Sequence, residues 1–174
     1  MEASVSDMSD NKFLTVMAVF DDKTQKLLGG IQQSIIDKAG EGTQTMGIPF
    51  HITLGSYPTG SVDEVVKKIR SVVAATRAFP IKLLRYKSFG DSVLFLEPAV
   101  TDELIALRKQ FECDYANGFE WIPHTTLFCG GDAQVRQAKM QTPSLDFPIE
   151  ASIVGIELGE FFPPKKIIRM DFEN

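Results

Sequence analysis

Apolar positions along the chain follow two periods, and the changes between them mark out the elements. Phe13 to Phe20 (FLTVMAVF) is a nearly unbroken run of apolar and β-branched residues and predicts a buried strand. Asp21 and Asp22 then offer an N-cap to a helix from Lys23 to Lys38, with Leu27, Leu28, Ile31, Ile35 and Ile36 on one face. Gly29 and Gly30 weaken that helix, and Gly40, Gly42 and Gly47 mark a loop after it. A short strand follows at Pro49 to Gly55. Ser61 and Glu64 have the spacing of a capping box for a helix from Val62 to Arg77, whose Val65, Val66, Ile69, Val72 and Val73 keep the helical period. Pro80 to Lys87 and Ser92 to Glu97 predict two strands joined as a hairpin through Phe89-Gly90-Asp91.

The second half runs in the same order. Thr101 and Asp102 start a helix reaching Tyr115, Trp121 to Cys129 (WIPHTTLFC) predicts a strand, and Ala133 to Gln141 a short helix. Asp146 to Leu158 and Lys166 to Phe172 predict two more strands, connected by Gly159 to Pro164. The halves superpose by eye. Pro49-Phe50-His51-Ile52-Thr53-Leu54 matches Ile122-Pro123-His124-Thr125-Thr126-Leu127. After each motif come a helix and the tripeptide Phe-Pro-Ile followed by a charge, first Phe79-Pro80-Ile81-Lys82 and then Phe147-Pro148-Ile149-Glu150. A strand pair closes each half. This is the signature of an internal duplication, two similar lobes related by an approximate two-fold axis.

Composition narrows the function. At 174 residues, 44% hydrophobic and 24% charged, the chain has the make-up of one ordinary globular domain, and it is neither disordered nor collagen-like nor a coiled coil. We expect a flexible tail over 1–11 and a two-lobed domain over 12–174. No apolar run is long enough to cross a bilayer, and Met1 to Asn11 lacks the apolar region of a secretory signal. Two cysteines, Cys113 and Cys129, fit a reducing cytosol and are expected to be buried thiols in a cytoplasmic monomer. A net charge of −5 excludes a broad phosphate-coating surface but leaves room for one phosphate in a local pocket.

Candidate chemistry rests on the two histidines, the only ones in the chain, both in the pattern His-x-Thr-Leu. In a strand, residues i and i+2 share a face, so His51 projects with Thr53, and His124 with Thr126 and Phe128. Cys129 would lie on the opposite face and pack. If the lobes face each other, two imidazoles and two hydroxyls meet across one cleft. One imidazole can take a proton while the other gives one, and the hydroxyls can donate to anionic oxygens. The set suits in-line displacement at phosphorus, with the two Nε2 atoms roughly 5–8 Å apart. Two histidines fall short of the three or four ligands of a zinc site, so no metal and no cofactor are expected.

These paired motifs on a duplicated chain of this length resemble the 2H phosphoesterase superfamily, specifically the 2′-5′ RNA ligase-like or RNA 2′,3′-cyclic phosphodiesterase group. The resemblance implies an α+β bilobal fold, with two antiparallel sheets facing a central cleft and helices outside. It also implies metal-independent opening of a 2′,3′-cyclic phosphate, with His51, Thr53, His124 and Thr126 as the catalytic set. The partner would be a nucleotide or RNA terminus bearing a cyclic phosphate. A 2′-5′ phosphodiesterase or ligase, and a non-catalytic nucleotide- or RNA-end-binding module, are the alternatives. Many RNA-directed relatives carry an arginine just after the motif, where this chain has Gly55-Ser56 and Phe128-Cys129. Lys82, Arg85, Lys87, Lys165, Lys166 and Arg169 are candidates for the missing charge. Tyr57, Phe128 and Phe162 are candidate base contacts and Lys165 a candidate phosphate contact.

Overall fold

The computed structural model describes residues 12–113 and 120–174. Seven strands and four helices follow in the order β1 (Phe13–Phe20), α1 (Asp22–Ala39), β2 (His51–Pro58), α2 (Val62–Ala74), β3 (Phe79–Phe89), β4 (Val93–Pro98), α3 (Asp102–Gln110), β5 (Thr125–Cys129), α4 (Asp132–Met140), β6 (Ile149–Phe161) and β7 (Lys165–Asp171). All strand pairs are antiparallel, in the order β2-β1-β6-β3-β4-β5, with β7 also on β6.

The α+β fold agrees with the sequence, but the two sheets are one continuous ladder. β6 supplies the continuity: Ile149–Ile153 pair with β3, while Ile153–Phe161 pair with β1 and Gly155–Glu160 with β7. The order also moves the repeat boundary. β1-α1-β2-α2-β3 corresponds to β4-α3-β5-α4-β6, so β4 opens the second half and does not close the first. Each half gives its last strand to the other's sheet: β6 lies beside β1, and β3 beside β4. Lys82 and Glu150, each the residue after Phe-Pro-Ile, face one another in the β3–β6 ladder, with Nζ 3.2 Å from the carboxylate.

One core explains the apolar periods. Leu14, Val16, Ala18 and Phe20 from β1 meet Leu28, Ile31 and Ile35 of α1, Val65, Ile69, Val72 and Val73 of α2, Leu104 and Leu107 of α3, and Val135 and Ala138 of α4. All four helices therefore cover the same face of the sheet. The odd-numbered residues of β1 point the other way, and Met17, Val19 and Phe161 form a small second apolar cluster on that open face.

The caps differ in quality. Asp21 caps α1 as expected, its carboxylate accepting from the Thr24 amide at 2.9 Å. Ser61 makes no side-chain cap on α2, because a 3₁₀ turn over Thr59–Ser61 leads into that helix and removes the extended N-cap geometry. The α3 helix stops at Gln110, and the expected continuation to Tyr115 runs beyond the described residues. The expected tail over 1–11 also lies outside them.

Candidate active site

The first His-x-Thr-Leu motif lies on edge strand β2, and the second enters edge strand β5 at Thr125, with His124 just before it and not in the strand expected from Trp121; β2 and β5 approach within 8 Å of each other, Cα to Cα. Edge strands leave backbone groups unpaired, and here loops from the other half take them up. The segment between α1 and β2 crosses to β5: Thr43 donates its amide to the Cys129 carbonyl at 2.7 Å, and the Gln44 side chain accepts from the Cys129 amide. Gln32 of α1 donates to the Leu127 carbonyl at 2.8 Å. In return Trp121, approaching β5, donates its indole N–H to the Thr53 carbonyl at 2.9 Å, and Cys113 donates to the Ser56 carbonyl. These crossed bonds hold the two motif strands against one another.

The histidines are set identically. His51 Nδ1 lies 2.8 Å from the Pro49 carbonyl, and His124 Nδ1 lies 2.8 Å from the Ile122 carbonyl. A carbonyl only accepts, so Nδ1 carries a proton in each ring and Nε2 is left for chemistry. Gln25 fixes the approach to His51, bonding the Phe50 amide and the Phe50 carbonyl, each at 2.8 Å. Their surroundings differ. Burial holds His51 below the ordinary imidazole pKa and the charge of His124 acts in the same direction, while the Pro49 bond opposes both. His124 sits against two rings, Phe89 at 4.9 Å and Phe95 at 5.3 Å between centroids.

A cavity of about 260 Å³ is lined by His51, Thr53 and Thr126 together with Thr15, Gln44 and Phe162, while His124 is not among its lining residues. On the sheet Val19 is opposite His51, Met17 opposite Thr53, and Phe95 opposite Thr126, so all share the open face. The parity expected from the sequence holds only as far as the threonines. In both strands the register slips at the motif leucine. Val16 pairs with Gly55 but Met17 with Thr53, and Leu94 pairs with Phe128 but Phe95 with Thr126. Each slip is a β-bulge, which sends the next residue to the other face.

The bulges correct two expectations. Phe128 does not face the cleft: it is fully buried in the core among the helices. Cys129 does not pack away from the cleft: it is half-buried and lines it. Tyr57 is also a packing residue, its hydroxyl donating to the Phe111 carbonyl at 2.8 Å and its ring lying against the core. Phe162, 60% exposed, stands at the mouth of the cavity. Lys165 and Lys166 line a second cavity that shares Met46, Gly47, Ile48 and Phe161 with the first. The other charge candidates are engaged elsewhere: Lys82 with Glu150, Arg85 and Lys87 with Glu97, and Arg169 with Asp171. Among the described residues no group of three or more His, Cys, Asp or Glu is placed to hold a metal.

Thr15, Gln44 and Met46 were not among the residues expected at the site. Thr15 could have been found, as the one polar position in an apolar strand. Gln44 and Met46 sit in a glycine-flanked loop whose path across to β5 depends on tertiary structure.

Comparison with known proteins identifies the family. The family model of the 2′-5′ RNA ligase superfamily matches residues 20–160. The chain belongs to that superfamily. Within it, a Geobacillus thermodenitrificans protein provisionally named a phosphoesterase is 32% identical over 89 residues, and a Geobacillus kaustophilus counterpart is 33% identical over 89 residues. In both cases the match takes in 46% of this chain and 51% of the relative, so it spans about half the length of the curated relatives. The superfamily fold is clear in solved structures. The Thermus thermophilus protein TT0787 superposes with a TM-score of 0.64 at 13% identity, covering 92% of this chain and 97% of that one. Escherichia coli LigT, crystallised with 3′-AMP, superposes at 0.62 and 13% identity, covering 94% and 99%. LigT crystallised with ATP gives 0.61 at 15% identity, covering 95% and 100%.

Proposed function

We propose that this chain is a metal-independent cyclic phosphodiesterase that opens a 2′,3′-cyclic phosphate on a nucleotide or RNA end. The observation that carries the reading is the matched setting of the two imidazoles. Each donates Nδ1–H to the carbonyl two residues back, each precedes a cleft-facing threonine, and the edge strands that His51 and His124 begin or lead into adjoin. A module that only binds has no use for two proton-transfer groups presented in the same way. The nucleotides crystallised with LigT support a nucleotide in this cleft.

The difference between the two environments favours one division of roles. Burial favours the neutral form of His51, and the charge of His124 acts in the same direction, which supports its Nε2 lone pair as the base. It takes a proton from water as the water oxygen attacks phosphorus opposite the leaving ribose oxygen. His124 gives its Nε2 proton to that oxygen as the P–O bond breaks, and Thr53 and Thr126 donate to the non-bridging oxygens. The net change is addition of one water across the ring P–O bond. Phe162, exposed at the mouth, gives the sugar or base an apolar surface.

The test is turnover of nucleoside 2′,3′-cyclic phosphates by single variants. His51→Ala and His124→Ala should each lower kcat by about 10²–10⁴-fold, and the double variant should be little worse than either because the pair acts as a unit. A substrate with a better leaving group should rescue His124→Ala and not His51→Ala. Activity should survive EDTA. Normal turnover by both single variants on every cyclic phosphate tried would leave the chain as a binding module.

A further inference from the structure

Beside the catalytic cavity lies the second one, of about 250 Å³, with a carboxyl group on its floor. Glu157 projects from the middle of β6 onto the open face and is only 5% exposed. Among the described residues no hydrogen bond or ion pair to its carboxyl group is formed. Arg169, opposite it on β7, is turned to Asp171 at 3.0 Å. Burial lifts the Glu157 pKa above the usual carboxylate range, against the pull of Lys166 and Arg169. As a lining residue of the cavity, its carboxyl group is open to a ligand that brings donors, and a hydrogen bond to a charged acceptor is among the stronger ones.

Its position relative to the reacting centre follows from the register. Thr53 is opposite Met17, Met17 is opposite Glu157, and Glu157 is opposite Arg169, a single row across four strands. Two strand spacings of about 4.8 Å put the Glu157 backbone roughly 10 Å from that of Thr53. That is the scale of one nucleotide, with phosphorus at the threonines. Phe161 and Met46 border both cavities and give a flat ring apolar walls between them. Lys165 and Lys166 stand at the rim.

We propose that this side cavity is a nucleobase subsite, in which the Glu157 carboxylate accepts paired hydrogen bonds from adjacent N–H groups on the edge of a base, selecting guanine. Guanine offers N1–H and the 2-amino group side by side. Uracil offers one N–H between two carbonyls, which repel a carboxylate. Adenine and cytosine each set one amino group beside a ring nitrogen acceptor. The proposal rests on the reading of the main cleft as a nucleotide phosphate site, and it extends that reading to the identity of the base.

The experiment is equilibrium binding of guanosine 3′-monophosphate and uridine 3′-monophosphate by calorimetry, for the native chain and for Glu157→Gln. It is run beside kcat/KM for the four nucleoside 2′,3′-cyclic phosphates. The guanine nucleotide should bind about 10–100-fold more tightly than the uridine one, the range for hydrogen bonds to a charged group. Glu157→Gln, nearly isosteric, should bring the two within about threefold, with most of the change in the guanosine affinity. A melting curve reports whether that variant is folded, and uridine binding by the same sample is its internal control. Equal affinities in the native chain, or a guanine preference that survives Glu157→Gln, would overturn the subsite. Guanine-selective binding without turnover of any cyclic phosphate would keep the subsite and reject the proposed reaction. Turnover without base preference would do the reverse.

Discussion

Gly55→Ala tests the bulge that turns the first motif. Gly55 follows the register slip at Leu54 and faces the core, where a β-carbon would overlap the Phe111 carbonyl oxygen and come within 3.2 Å of its carbon. Its φ is not in the left-handed region, so the cost is steric and not conformational. The obstruction is backbone, at the end of α3, and cannot rotate away. Forcing one extra carbon into a packed site costs about 1–3 kcal/mol. The same carbonyl accepts the Tyr57 hydroxyl at 2.8 Å. Pushing it aside weakens that bond, for roughly another 0.5–1.5 kcal/mol. The sum is about 1.5–4.5 kcal/mol, or a fall in Tm on the order of 3–18 °C for a chain of this size. Gly60→Ala is the control, since a β-carbon there meets nothing within 4 Å. It should be neutral or stabilise by a few tenths of a kcal/mol. Urea and thermal unfolding of both variants give the comparison. A Gly55→Ala protein within 0.5 kcal/mol of Gly60→Ala would refute the account of the bulge.

Two further outcomes follow from the site. Because the folded His51 pKa lies below the ordinary value of 6.5, the unfolded chain takes up the proton first as pH falls. The stability contributed by neutral His51 is therefore complete above about pH 6.5 and is lost as pH drops through the folded value. Acid titration of urea midpoints should show this slope, and His51→Gln should remove it. Tyr57→Phe separates packing from substrate contact. The hydroxyl, with its pKa pushed up to about 12, remains a donor to Phe111, so its loss should lower stability by about 0.5–1.5 kcal/mol and leave KM unchanged. A raised KM at native stability would return Tyr57 to the substrate.

Much of this architecture could be read from residue order because the signals were local. The β1 run, the α2 period and the paired motifs each specify their own backbone, and seven strands and four helices lie close to where the pattern placed them. The histidine–threonine pairing was legible because it depends only on strand parity before the leucine. What followed the leucine was not. A bulge leaves no mark in a sequence such as Thr-Leu-Phe-Cys, so Phe128 was expected in the cleft and Cys129 in the core, the reverse of what the fold gives. The repeat boundary was missed for a related reason. A hairpin between β3 and β4 looks like the end of a unit, and only the ladder shows that β4 stands where β1 does. Glu157 drew no notice in an amphipathic strand, since its burial depends on β1 and β7 lying on either side.

The exchange of last strands between the halves governs how this molecule can move. In a hinged enzyme two bodies swing about a flexible connection, and a substrate is enclosed by their closure. Here the bodies are sewn together by the β3–β6 ladder, from Phe79 opposite Ile153 to Leu83 opposite Ile149, and widening the angle between them would shear backbone hydrogen bonds. The two motif strands, β2 and β5, are therefore tied to one continuous sheet. The rims of the cleft lie outside that ladder: the segment carrying Met46 and the tip of the β6–β7 hairpin with Phe162. Affinity should respond to changes in those rims, while the spacing of the two motif strands stays with the sheet.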